Sequence, residues 1–437
     1  MPRTIPSCPT KPIGKSDRET RTYEIELITP LFGGGVETRT VDTSMPIRGT
    51  SIRGQLQFWW RATVGARCTD LKELRSEQSR VWGDTEKASP VEVVVHYPLR
   101  QGVALRPCAE FEPDHNRLGM LRSMPRWDAR LQQTSYALFP FQGQRTRDGR
   151  QVEVRPAEFV ERLAFQLDIR FPSALWPALE PAIWAWINLG GLGSRTRRGC
   201  GSLKCTDWSP KDVDDFRQQL GKYLPKVNAA RDWPTLAAAV LLENRPRGSL
   251  DAWARTINLL KDFRQGVDVG RNAGQQPNRP GRSRWPEPEV IRGVTRERSA
   301  SHQRLGHIPD DACPRGEFGL PIVFHFKDHG DPQDSQLLPE AVQGVDHPER
   351  MASPLILKPL ALNAGQSLPL IARLRTRPLG QVRLCRGDQT LRGRIPVRGG
   401  HLANYRNSPL KDRSTAGSAL EAFLAFAVEK GFREVKP

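Results

Sequence analysis

The stretch Leu163-Ala-Phe-Gln-Leu-Asp-Ile-Arg-Phe171 leads through a Pro- and Trp-rich segment to Gly190-Gly-Leu-Gly-Ser-Arg-Thr-Arg-Arg-Gly-Cys-Gly201. Leu163, Phe165, Leu167, Ile169 and Phe171 alternate with Ala164, Gln166, Asp168 and Arg170, the period-two pattern of a half-buried strand. Pro177 suits the first turn of a following helix, which Ile183 to Leu189 continue. Glycines end that helix, and Ser202 to Thr206 reads as a short strand.

Upstream, Tyr23, Ile25 and Leu27 alternate with Glu24 and Glu26, a second strand that runs into the glycine loop Thr29 to Gly35. Pro46 to Arg61 then gives a Gly/Arg turn, with Ile-Arg-Gly used twice, and an apolar helix starting near Thr50 or Ser51. Ile52, Leu56, Trp59 and Thr63 form one stripe, and Arg53, Gln57 and Arg61 another. Trp82-Gly83-Asp84 is a turn before a strand in which Val91, Val93 and Val95 alternate inward. The order strand, helix, strand, strand, helix, strand is that of a ferredoxin-like βαββαβ unit, whose open sheet face is where RRM-type modules receive single-stranded RNA.

Outward from this unit the chain divides. Residues 1–20 read as a mobile arm and 21–208 as the first domain, with a loop-rich insertion at about 97–150 that includes a short strand at Tyr136 to Phe141. Residues 209–264 read as a helical insertion, with Ser209 as an N-cap, a helix at Thr235 to Leu242 and another at Ser249 to Phe263. Residues 265–315 read as a basic linker, since Arg271 to Arg304 holds eight Arg against three Glu. Residues 316–437 read as a second α+β domain, with a hairpin turned at Asn363 to Gln366 and a closing helix capped by Ser418 and Glu421. The expected fold class is α+β, two tandem ferredoxin-like (RRM-like) domains with a helical insertion.

Charge narrows the partners. Sixty-six Lys+Arg against 48 Asp+Glu leave +18, so a polyanion is expected. No apolar run of roughly 18 residues exists, which argues against a membrane. Seven scattered cysteines without a C-x-x-C pair read as reduced thiols in a cytoplasmic protein, with no zinc site. No Walker-type phosphate loop occurs.

Several segments together resemble the RAMP superfamily of CRISPR effector proteins, and most nearly the first RAMP subunit of the type III-B (Cmr) complex. They are Ile28 to Gly35, Ile52 to Arg61, Trp82 to Asp84, Tyr136 to Pro140 and Gly190 to Gly201, with Gly319 to Ile322 and Ala352 to Leu355 in the second half. The resemblance implies tandem RRM-like domains, a place holding the 3′ part of the guide RNA, contact with target RNA, and other RAMP subunits as partners. It also implies no nuclease chemistry in this subunit, and no cofactor is expected.

The expected RNA-binding residues follow. Gly190, Gly191, Gly193 and Ser194 let backbone approach a phosphodiester while Arg195, Arg197 and Arg198 supply charge. Arg48, Arg53 and Arg61 have the same reading, with salt bridges to nearby carboxylates as the competing use. Trp59 reads as core, whereas Trp60 fits core or base platform equally. Arg292, Arg296 and Arg298 extend the set through the basic linker, where Ile291-Arg292-Gly293 echoes the opening triplet; Arg392 to Arg394 and Arg398 to Gly400 are degenerate candidates in the second half. The alternative function is a metal-independent endoribonuclease processing guide precursor, with His96 or His115 as acid/base. His325, Asp328, His329 and Asp331 form a solvated acidic turn rather than a diagnostic metal set.

Overall fold

The computed structural model describes residues 17–35, 37–97, 103–227, 229–236, 239–274, 281–302, 312–340, 349–399 and 408–437. The first unit has the expected order: β1 (Arg18–Leu27), α1 (Gly49–Ala62), β2 (Glu92–His96), β3 (Ala164–Pro172), α2 (Trp176–Leu189) and β4 (Leu203–Lys204). Its sheet runs β4-β1-β3-β2 with every neighbour antiparallel. Alternation does its work here: Tyr23, Ile25 and Leu27 are buried, while Thr22, Glu24 and Glu26 face solvent. Strand β1 already begins at Arg18, so the expected arm is shorter; residues 1–16 lie outside the described ones. Helix α1 starts at Gly49 rather than after a Thr50 or Ser51 cap, with the Arg48 carbonyl accepting from Ser51 and Ile52 N–H. Tyr136 to Phe141, expected as a strand, forms helical turns at Ser135–Leu138 and Phe139–Phe141, where Pro140 has no N–H for a ladder.

Helix α3 (Val213–Tyr223) follows, capped by Asp212 rather than Ser209. The second unit contains β5 (Val240–Leu242), α4 (Ser249–Gln265), β6 (Leu355–Ala361), β7 (Ser367–Arg373), α5 (Ala419–Glu429) and β8 (Arg433–Glu434). Its sheet, β6-β7-β5-β8, is again antiparallel throughout and, read from β8, repeats the fourth-first-third-second order of the first sheet. This corrects the helical insertion expected over 209–264: only α3 stands between the units, and 240–265 supplies the opening strand and helix of the second. Val240, Leu241 and Leu242 are all buried, and a strand buried on both faces shows no alternation.

The hairpin at 363–366 is present, with Leu362 N–H donating to Gln366 O and Gly365 at φ 89°. Ser418 caps α5 by accepting from Glu421 N–H, whereas the Glu421 carboxylate turns to Ser414 Oγ. A third sheet, of strands 322–324, 335–339, 381–386 and 389–396, is inserted into the second unit.

The elements stack in four layers: first sheet, α1 and α2, second sheet, α4 and α5. Ile356 and Leu360 of β6 pack with Trp186 and Ile187 of α2, while Leu355 and Leu357 pack with Trp253 and Phe423. Strand β6 is therefore buried along its whole length.

The basic linker expected over 265–315 is, in its described part, folded. Residues 287–295 are helical, and buried Glu289 accepts from Arg282, Arg292 and Arg298 at 2.6, 2.6 and 2.8 Å. Local charge counting missed this because Asp331, the second partner of Arg292, lies 39 residues away. No helix among the described residues is long and apolar enough to cross a membrane.

Candidate nucleic-acid interface

Two glycine segments interlock at the C-terminal end of α2. Ser194 N–H donates to Phe32 O at 2.8 Å, and Gly201 N–H to Pro30 O at 2.9 Å. Thr29 Oγ1 donates to Gly199 O at 2.6 Å and accepts from Ser202 N–H at 2.8 Å. Gly33 (φ 76°) and Gly193 (φ 74°) sit where a side chain would strike Ser194 and the Phe32 carbonyl. Much of the glycine content thus serves backbone packing. The exposed tip is Gly193–Ser194, whereas Gly190 and Gly191 are buried.

The arginines of this loop divide. Arg197 donates to Ser353 O, and Arg198 to Leu355 O at 2.9 Å and Phe318 O at 3.1 Å. Arg198 thus covers the Leu355 carbonyl at the outer edge of β6, and the other two contacts satisfy loop and turn carbonyls beside it. Arg195, in the left-handed region at φ 58°, keeps its Nε buried with no partner and lies 5.9 Å from the Phe141 ring centre. Arg264, from the last turn of α4, joins them between the rings of Tyr136 and Phe318, at 6.0 and 5.8 Å, its Nε also unpartnered. Among the described residues no carboxylate pairs with any of these four guanidinium groups. Burial, and then the charges of Arg195 and Arg264, push Arg198 down to about 9. Burial lowers Arg195 and Arg197 as well. An anion placed here would relieve that repulsion.

Beneath the loop, Lys358 of β6 is fully buried and donates to Gly190 O at 2.8 Å and Ile187 O at 3.2 Å. Burial pushes its ammonium down to about 7, while the carbonyl end of α2 favours the cation. Sequence reasoning missed both Arg264, one residue beyond the expected helix end, and Lys358, set inside an apolar strand.

The other expected residues are placed elsewhere. Arg48 pairs with Asp42 at 3.2 Å, Arg53 donates to Trp82 O, and Arg61 donates to Gln78 Oε1 at 3.1 Å, so each has a protein partner. Trp60 is 1% exposed and offers no face to a base, which decides its open reading for core. Arg292 and Arg298 belong to the Glu289–Asp331 network; Arg296 is exposed at the end of its helix. Neither degenerate candidate in the second half forms a glycine loop: Arg392 to Arg394 lie within a strand and Arg398 pairs with Glu317, while Gly400 lies outside the described residues.

The open face of the first sheet corrects a further expectation. It carries Thr22, Glu24, Glu26, Gln166, Asp168, Arg170, Glu92, Val94 and His96, with no Phe, Tyr or Trp on which a base could stack. On it His96 Nε2 lies 3.0 Å from Asp168, which also accepts from Thr22; His115 is exposed in the insertion. The acidic turn rearranges as well. His325 meets Asp334, and His302 joins Asp328 and Asp331, but Asp331 already accepts two bonds from Arg292 and one from Ser299 N–H.

Residues 24–204 match the family model described as the RAMP superfamily. Two relatives come from Pyrococcus furiosus. The CRISPR system Cmr subunit Cmr1-2 is 24% identical over 185 residues, 42% of this chain and 92% of the relative. Cmr1-1 is 30% identical over 195 residues, 44% of this chain and 50% of that relative. The solved apo structure of Cmr1 from Pyrococcus furiosus covers 96% of this chain and 99% of its own, at 14% identity and a TM-score of 0.47.

Proposed function

From the chain's membership of the RAMP superfamily, carried by residues 24–204, we propose that it is a non-catalytic RNA-binding subunit of a type III-B CRISPR effector complex. It contacts the 3′ region of the guide RNA and the target RNA, beside other RAMP subunits, in the cytoplasm. Its two βαββαβ sheets are ferredoxin-like units in tandem. The observation that carries RNA binding is the convergence of Arg195, Arg197, Arg198 and Arg264 without a carboxylate beside an exposed glycine tip. Phosphodiester contacts made this way bind by charge and shape, leaving sequence to be read by base pairing with the guide.

The His96–Asp168 pair is the one feature that favours the endoribonuclease alternative. His96 there shares Asp168 with Thr22 and Gln166, neither of which transfers protons near neutral pH. The pure chain incubated with repeat RNA in EDTA is expected to bind the RNA and leave it intact. Specific cleavage abolished by His96→Ala would overturn the non-catalytic reading.

A further inference from the structure

At the N-terminal end of α2, a cavity of about 510 Å³ opens between β1, α2, α3 and the turn after β4. Tyr23, Trp176, Trp184, Trp208 and Tyr223 line it, with Arg21, Glu180, Asp207 and Gln219 as its charged and amide groups. Tyr23 and Trp208 lie 5.8 Å apart between ring centres, and Trp176 and Trp208 6.1 Å. The Arg21 guanidinium is 3.4 Å from the centre of the Trp176 ring. Tyr23, Trp184 and Trp208 are themselves buried, so the planar groups left for a ligand to stack on are the Arg21 guanidinium laid over Trp176 and the half-buried Tyr223.

The polar groups decide what stacks. Both places where a cation would sit are filled by the chain itself: Arg21 covers Trp176, while Lys222 bonds Glu180 at 2.7 Å and lies 4.7 Å from the Tyr223 ring. Tyr223 Oη also donates to Glu180, at 3.0 Å. A further ammonium or guanidinium therefore finds no free carboxylate-and-ring pair at Glu180. What remains is mixed. Gln219 uses Oε1 to accept from Trp184 Nε1 at 2.8 Å, which leaves its two amide hydrogens for an acceptor. Exposed Asp207 receives only a thiol contact, from Cys205 at 3.8 Å, and can accept from amino or imino donors. Trp208 Nε1 is buried and makes no hydrogen bond, while the buried Tyr23 Oη has Arg21 beside it. A neutral planar ring with both donors and acceptors on its edge matches this set.

We propose that this cavity receives one unstacked nucleobase of single-stranded RNA. The proposal rests on the RNA-binding reading above and adds a second contact of a different kind. Helix α2 separates the two: its 14 residues span about 20 Å at 1.5 Å per residue, with the arginine cluster at one end and the cavity at the other. Because α2 itself is buried between the two sheets, an RNA strand would reach its two ends over the molecular surface, held by phosphate near the C-terminal end and by one base near the N-terminal end.

The test uses the full chain and two short RNA backbones, one built wholly of tetrahydrofuran spacers and one carrying a single adenine among them. Stacking of one base predicts that the adenine tightens binding about tenfold, and that Trp176→Ala removes the gain. Gln219→Ala and Asp207→Ala, at less buried positions, reduce the gain and guard against a Trp176→Ala chain that has lost its fold. No gain in the wild-type chain, as a cationic side chain from a protein partner would predict, overturns the proposal, and so does a gain that survives all three substitutions. Arg195→Ala should weaken both RNAs equally; if it does while the adenine gives no gain, the phosphate reading stands and the base pocket alone fails.

Discussion

Arg198 donates to Leu355 O and Phe318 O, whereas Arg264, beside it, leaves Nε without a partner. Substitution should separate these uses. Arg198→Ala strands buried carbonyls and is expected to lower the unfolding free energy by about 2 kcal/mol, measured by denaturant titration. Arg264→Ala is expected to leave that value nearly unchanged and to weaken RNA binding. At this scale the sequence was legible for the glycine loop and only partly so for its chemistry. Residue type told that Arg195, Arg197 and Arg198 would be used; it could not tell that two of them face carbonyls more than 100 positions away. Trp60 was undecidable from phase, because α1 is covered on more than one side: Leu74, Val81 and Trp82 of the following segment are buried in the same cluster.

Strand β6 is where element-level reading succeeded in existence and failed in context. The run Pro354 to Leu362 is apolar enough to read as a strand, but nothing local marks the Lys358 inside it as buried. Between two helix layers there is no solvent face, so the lysine instead meets the last carbonyls of α2. Because burial holds Lys358 near 7 in the folded chain, against 10.5 ordinarily, the unfolded chain binds the extra proton between those values. Stability contributed through this group therefore rises with pH across about 7 to 10.5 and is flat below. Lys358→Met should remove that rise, as read from denaturation midpoints taken across this window. A slope equal in both proteins would mean that the lysine stays charged in the fold. The same limit explains Val240 to Leu242, whose continuous apolar character fits a buried helix as well as a central strand.

For the molecule as a whole, the net charge of +18 pointed to a polyanion, and the order of elements in the first unit was readable because each strand had one wet face. The second unit was not readable as a unit. Its opening helix ends about 90 residues before β6, with two strands of an extra sheet between them and the other two after β7. Long-range pairing of this kind leaves no local periodicity to find. Nor did composition reveal that arginines of the 271–304 segment would be spent on Glu289 and Asp331, so that the cationic surface is smaller than the charge count suggests. Under the proposed function, RNA phosphate meets one arginine cluster that joins both units. The most direct measurement is the slope of log affinity against log salt for single-stranded RNA, in the wild-type chain and in Arg195→Ala/Arg264→Ala. Loss of two phosphate contacts predicts a slope shallower by about 1.4, at about 0.7 per contact on single strands; an unchanged slope would contradict the claim that these arginines hold the RNA backbone.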